Sequence, residues 1–203
     1  MKILRTEILF QQGTLFTSQE FINLLGEIET AIHKVVWPLD TQSFSINPSK
    51  KGNGVKPIKN GCMMYLRDSG WKLESCLIIS SDMRPGPLDA TKILSNGLAF
   101  SFEWETGNIS SSHRALNKMA LGIMKGALCG GILLLPSRKM YNYLTDRIGN
   151  FQEIAPYFPI WKNLNISSGY LAVIEIEHDD ESINSPLIPK GTDGWQNLKK
   201  TNI

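Results

Sequence analysis

Residues Leu98–Asn117 read LAFSFEWETGNISSSHRALN. In an extended strand successive side chains alternate faces, so Leu98, Phe100, Phe102 and Trp104 point one way and Ala99, Ser101, Glu103 and Glu105 the other. The two carboxylates share that second, wetter face, about 7 Å apart along the strand, close enough to approach one divalent cation and one water. TGNISSS then breaks the strand pattern and caps a helix that carries His113, Arg114, Asn117 and Lys118. Strand, turn and helix bring acidic and basic groups together in one unit.

The surrounding chain sets the scale. Its 203 residues are enough for one well-packed core and too few for two, so one domain over residues 1–203 is expected, with a short C-terminal tail after about residue 190. A hydrophobic share of 42% against a charged share of 20% is that of a globular protein and excludes a disordered chain. A net charge of +2 neither announces nor excludes a polyanionic partner, since a nucleic-acid enzyme needs a local basic surface rather than a large total. Cys62, Cys76 and Cys129 are odd in number and widely spaced, which fits reduced core thiols in a cytoplasm rather than disulfides or a zinc site. The longest apolar run, near Leu128–Leu135, contains two glycines and ends at Pro136, too short for a membrane span, and the N-terminus lacks a signal-peptide core.

Outward from the central stretch, Thr17 and Glu20 form a capping-box pattern. Phe21, Leu24, Leu25, Ile28, Ile32 and Val35 then recur at helical spacing until Pro38. Residues 41–60 are polar and loop-like, residues 58–71 can form a helix, and CLIIS at 76–80 reads as a buried strand. DMRPGP at 82–87 is a turn that leads into a short helical or irregular segment ending near Asn96 and Gly97. Gly131–Leu135 is apolar throughout and so a central strand, Pro136 begins a helix through Leu144, and Gly169–Glu177 alternates like a strand with one wet face. Strands alternating with helices give an α/β layered domain.

The three histidines are scattered, and there is no HExxH, GxGxxG or Walker-type loop, so zinc hydrolysis, a histidine-centred triad and nucleotide binding have no support. The concentrated chemistry is acidic: Glu74, Asp89, Glu103 and Glu105 stand at the edges of consecutive candidate strands. Hard oxygen ligands select Mg²⁺ or Mn²⁺, and carboxylate sites beside basic helices suit hydrolysis of phosphate esters. Carboxylates packed this closely are costly to ionise together without a cation, which predicts raised pKa values.

The segments VVWPLDTQSFSIN, NGVKPIK, GPLD, FEWETGNISSSHRALNKM, YLTDRIGNFQEIAPYF and PLIPKGTDGW occur in that order from Val35 to Trp195 and closely resemble the BamHI family of type II restriction endonucleases. With the chain stopping at Ile203, the pattern is that of a compact member. The resemblance implies the restriction-endonuclease-like PD-(D/E)xK fold, with a five-stranded mixed sheet flanked by helices. It implies a symmetric homodimer on double-stranded DNA, no membrane, and a methyltransferase as genetic rather than physical partner. It further implies Mg²⁺-dependent cleavage of GGATCC after the first G, leaving 5′ GATC overhangs. Mn²⁺ should substitute for Mg²⁺, and Ca²⁺ should bind without supporting cleavage.

Residue by residue, Asp89 and Glu103 match the family's metal ligands, Glu74 a further carboxylate for a second metal, and the main-chain carbonyl of Trp104 a backbone ligand. Glu105 stands where many relatives in the wider superfamily carry lysine, which leaves it to orient or deprotonate the attacking water. Asn108, Ser110, Arg114, Asp146, Arg147 and Asp193 match the major-groove readers, and Lys59 matches a residue facing DNA near the scissile phosphate. The chemistry agrees, because Arg147 can give two donors to guanine, Asp146 can accept from cytosine N4, and Asn108 can pair with an adenine edge. Trp195 departs from the family, which has a smaller side chain at that position. A nuclease of the same fold that reads DNA structure rather than sequence would keep the carboxylates without needing Asp146 and Arg147. A DNA-binding module that had lost catalysis would not need the carboxylates.

Overall fold

A computed structural model describes residues 1–76, 78, 86–145 and 147–190. Its centre is a mixed sheet of six strands. These are β1 (Lys2–Gln12), β3 (Lys72–Ser75), β4 (Leu88–Ile93), β5 (Ala99–Trp104), β6 (Leu128–Pro136) and β7 (Gly169–Glu177). In space they run β1-β7-β6-β5-β4-β3, with β5, β6 and β7 parallel and the remaining pairs antiparallel. A second, two-stranded parallel pair joins β2 (Ser45–Ile46) to β8 (Asp180–Glu181). The expected mixed sheet flanked by helices is present. It has six strands where the resemblance implied five, and Lys2–Gln12, given no element from the sequence, pairs with β7 along its whole length.

Two apolar layers cover the sheet. On one face α1 (Gln19–His33) and α2 (Asn60–Asp68) pack against Phe100, Phe102, Trp104, Tyr170 and Ile174. On the other, α3 (Ile109–Met124) and the short helices α5 (Phe151–Ile154) and α6 (Phe158–Lys162) cover Ala99, Leu133, Leu171 and Val173. Helix α1 starts where a side-chain oxygen satisfies an orphan amide, as Ser18 Oγ accepts from Phe21 N–H at 3.3 Å. Thr17 is therefore not the cap, and Glu20 instead accepts from Ser95 N–H in the β4–β5 turn at 2.8 Å.

Several expectations are corrected, each by tertiary pairing overriding a local pattern. Leu88–Ile93 is a strand rather than helical or irregular, because it is paired on both sides. The strand placed at 76–80 lies earlier, at Lys72–Ser75; Cys76 is exposed and Ile78 is 84% exposed, while residues 77, 79 and 80 lie outside the described residues. Pro136 closes β6 instead of opening a long helix, and Ser137 caps the single-turn α4 (Arg138–Tyr141). Neither β5 nor β7 has a wet face, since both are interior strands covered on both sides.

Glycine allows the closest packing at the sheet centre. A Cβ on Gly130 would lie 2.6 Å from the Phe100 ring, so the ring fills the space over β6 and meets Phe21, Trp71 and Tyr170 at centroid distances of 5.9, 6.4 and 6.0 Å. Phe100→Ala should leave a cavity and cost about 3–5 kcal/mol in urea unfolding. A loss below about 1 kcal/mol would contradict this packing.

Candidate active site

The site forms where β4 and β5 run antiparallel, with Ala90 opposite Phe102. This register places Asp89 beside Glu103, although they lie 14 residues apart in the chain. Asp89 N–H donates to Glu103 Oε2 at 3.3 Å, and Asp89 Oδ2 accepts from Trp104 N–H at 2.8 Å. The Trp104 peptide thus orients Asp89, and the indole is buried in the core. Two ammonium groups cover the pair. Lys59 Nζ contacts Asp89 Oδ1 at 2.7 Å, and Lys118 Nζ pairs with Glu103 Oε1 while donating to the Pro87 carbonyl at 3.1 Å.

Lys118 is the side chain at this site whose contact with Glu103 sequence reasoning missed. It was named only as part of a basic helix, yet it follows Arg114 by four residues and so shares its face of α3. Glu105 lies just past β5, and its Oε1 accepts from Gly107 N–H at 2.6 Å. Burial raises the pKa of Glu103 above the ordinary carboxylate range, with Lys118 opposing the rise and Asp89 adding to it. Burial also raises that of Glu105, with the Gly107 N–H opposing and Asp89 adding. The expected rise is present for both, with desolvation rather than mutual repulsion as the main cause.

Glu74 stands apart. It lies on β3 between the pairs Leu73–Ala90 and Ser75–Leu88, level with Asp89, but its backbone is left-handed at φ 49° and its side chain is exposed. Among the described residues no group of three or more His, Cys, Asp and Glu side chains is gathered to hold a metal ion. The donor set still fits Mg²⁺, which keeps several waters and uses one or two carboxylates together with substrate phosphate oxygens. Asp89 and Glu103 supply two adjacent carboxylates, already balanced by cations.

Beside Glu103 opens a cleft of about 790 Å³ whose lining also includes Glu105, Ser110, Arg114 and Lys118. A smaller recess of about 310 Å³ is lined by Asn108, Ser110 and Arg147 among others, so Ser110 borders both. Asn108 caps α3, its Oδ1 accepting from Ser111 N–H at 3.2 Å, which uses one of the oxygen's two acceptor positions and leaves the amide nitrogen as donor. Arg114 and Arg147 are exposed. Asp146, Asp193 and Trp195 lie outside the described residues. The apolar stripe Leu116, Met119, Ala120 and Ile123 on α3 is buried within the chain against the sheet. Carboxylates, cationic side chains and an open groove together suit hydrolysis of a polyanionic ester.

Comparison with known proteins agrees. The family model described as restriction endonuclease BamHI matches residues 1–195. The chain is 55% identical over 194 residues to the type II restriction enzyme OkrAI of Oceanobacter kriegii, covering 96% of this chain and 98% of the relative. It is 39% identical over 186 residues to the type II restriction enzyme BamHI of Bacillus amyloliquefaciens, covering 86% of this chain and 84% of the relative. The fold is similar to that of the restriction endonuclease BglII in a crystal structure with a DNA 16-mer, with a TM-score of 0.63 at 12% identity over 88% of this chain and 79% of that one.

Glu105 gives a pH test of the site. A carboxyl whose pKa is raised on folding contributes stability below the ordinary carboxylate range, and that contribution is lost as pH rises through the raised value. Without added divalent ion, Glu105→Gln should therefore stabilise the protein at pH 8 by about 0.5 kcal/mol or more in urea unfolding. The gap should close below about pH 4. A variant less stable than wild type at pH 8 would contradict the buried-charge reading.

Proposed function

The chain belongs to the BamHI restriction endonuclease family and is a type II, site-specific DNA endonuclease, and from that premise we propose that it cuts both strands of GGATCC after the first G, leaving 5′ GATC overhangs. The observation that carries this reading is Glu103, hydrogen-bonded to Asp89, on the wall of a cleft that shares Ser110 with the Asn108–Arg147 recess. Chemistry and base reading then lie side by side along one groove.

Asp89 and Glu103 would hold Mg²⁺, with the Trp104 carbonyl and, in a two-metal arrangement, Glu74 as further ligands. When bound, the ion lowers the pKa of a water and neutralises charge on the phosphate. Glu105 would orient or deprotonate the attacking water. Lys59 and Lys118 hold Asp89 and Glu103 in place before the ion arrives and then offer their charge to the phosphate backbone. Arg147 donates to guanine O6 and N7, Asp146 accepts from cytosine, and Asn108, Ser110, Arg114 and Asp193 complete the reading of the major groove.

A palindrome is read most economically by a two-fold axis, so a homodimer is the expected active form. The apolar stripe of α3 is used up in the core, whereas Tyr157 and Ile160, beside the His113–Tyr157 ring contact, are exposed and offer a surface for the dimer. Among the described residues no helix is long and apolar enough to cross a membrane. The proposal places one endonuclease domain in the cytoplasm. The genetic partner is a methyltransferase that protects the same site. Mn²⁺ should replace Mg²⁺, whereas Ca²⁺ should bind without supporting turnover.

Digestion of DNA of known sequence, followed by sequencing of the ends, tests the proposal. Every end should map to GGATCC, and EDTA should abolish cleavage. Glu103→Ala should bind the site but not cut it. Arg147→Ala should lose about 1–3 kcal/mol of binding at GGATCC. Ends scattered over unrelated sequences would overturn the specificity.

A further inference from the structure

Residues 145–149, which carry Arg147, contain no helix or strand among the described residues; Ile148 is buried in the core, and backbone hydrogen bonds fix the two ends. At one end Thr145 N–H donates to the Asn53 carbonyl at 2.6 Å, and at the other Gly149 N–H donates to the Gly107 carbonyl at 2.8 Å. Both anchors also belong to networks that reach the carboxylates.

Asn53 is fully buried, and its side chain bonds three separate segments. Its Nδ2 donates to the carbonyls of Asn47 and Tyr143 at 2.8 and 3.0 Å, and its Oδ1 accepts from Ile188 N–H at 3.2 Å. A buried carboxamide with oxygen and nitrogen both engaged is a rigid joint, and a costly one to leave partly satisfied. The next residue seals the contact, since a Cβ on Gly54 would lie 1.9 Å from the Pro189 carbonyl oxygen. The same NGVKPIK motif continues through a turn at Lys56–Lys59 and ends with Lys59 on Asp89. Gly107 makes the shorter link, because its N–H holds Glu105 Oε1 while its carbonyl holds Gly149. A Cβ there would fall 2.8 Å from both Glu105 Oε1 and Ser111 Oγ.

We propose that Asn53 and Gly107 are positioning residues for specificity: they string the base-reading loop between two fixed points tied to Asp89 and Glu105, so that discrimination between GGATCC and near-matches depends on both. Bidentate base contacts tolerate only small displacements, and a shift of about 1 Å is worth on the order of a hundredfold in rate. This inference rests on the proposed reading of Arg147 as a base reader. It assigns the discriminating power to two residues that need make no base contact.

The test compares cleavage of GGATCC with cleavage of sites changed at one base pair, in Asn53→Asp and Gly107→Ala, with folding checked by thermal melts. Asn53→Asp keeps the acceptor for Ile188 but loses both Nδ2 donors and turns a carboxylate towards two carbonyls. It should lower the ratio of kcat/KM between cognate and altered sites at least tenfold. Gly107→Ala should lower that ratio and also the single-turnover rate at GGATCC, because it disturbs Glu105 as well as the loop. Phe100→Ala, destabilised at a distance from the loop, should reduce both substrates alike and leave the ratio unchanged. A folded Asn53→Asp with the wild-type ratio would overturn the inference; if that variant does not fold, an unchanged ratio in Gly107→Ala would do so. Wild type indifferent to GGATCC would instead overturn the proposed function.

Discussion

The carboxylate of Asp89 is the joint on which the site turns. One oxygen takes the Trp104 N–H from the neighbouring strand, the other takes Lys59, and the Asp89 N–H reaches Glu103. Two carboxylates brought this close under a covering helix lose much of their hydration, which is tolerable only if positive charge is supplied. Lys59 supplies it from the turn before α2 and Lys118 from α3, so elements from both layers meet over the pair. The same requirement favours exchange for a divalent ion, whose charge is more compact than that of two flexible ammonium groups.

This constraint explains why the strand reading was right in register and wrong in exposure. Alternation correctly put Glu103 on the face opposite Phe100 and Phe102. It could not show that β5 is an interior strand covered by α3, because burial depends on neighbours that a local pattern does not contain. The partnership of Asp89 with Glu103 was equally hidden. LDATKI carries a weak strand signal, and only pairing with β5 makes it a strand. Lys118 left no signal beyond its helical spacing from Arg114. By contrast, a cap within TGNISSS and the helix that follows could be read directly, since both rest on contacts within a few residues, the cap being Asn108.

Ser110 shows how compactly the two tasks are joined. It borders the cleft that holds Glu103 and Glu105 and the recess that holds Arg147, so a duplex lying along the groove would meet the carboxylates and the proposed base reader within one turn of α3. Gly107 and Gly149 permit this closeness. A Cβ on Gly149 would lie 2.3 Å from Ser112 Oγ, which leaves no room for a side chain between the loop and the helix. Such tight junctions favour fixed geometry over adaptability, as a site that must reject near-matches requires.

The central claim is that Asp89 and Glu103 hold the cation while Glu105 serves the water. Single-turnover cleavage at saturating Mg²⁺ by Glu105→Lys and Glu103→Lys tests it most directly, with folding and DNA binding verified for each. A lysine at position 105 can still hydrogen-bond the water or offset phosphate charge, whereas a lysine at 103 puts an ammonium where the ion belongs. The account predicts measurable cleavage by Glu105→Lys and none by Glu103→Lys. Complete inactivity of both, in folded protein that binds the site, would contradict it and make Glu105 a ligand the ion cannot do without.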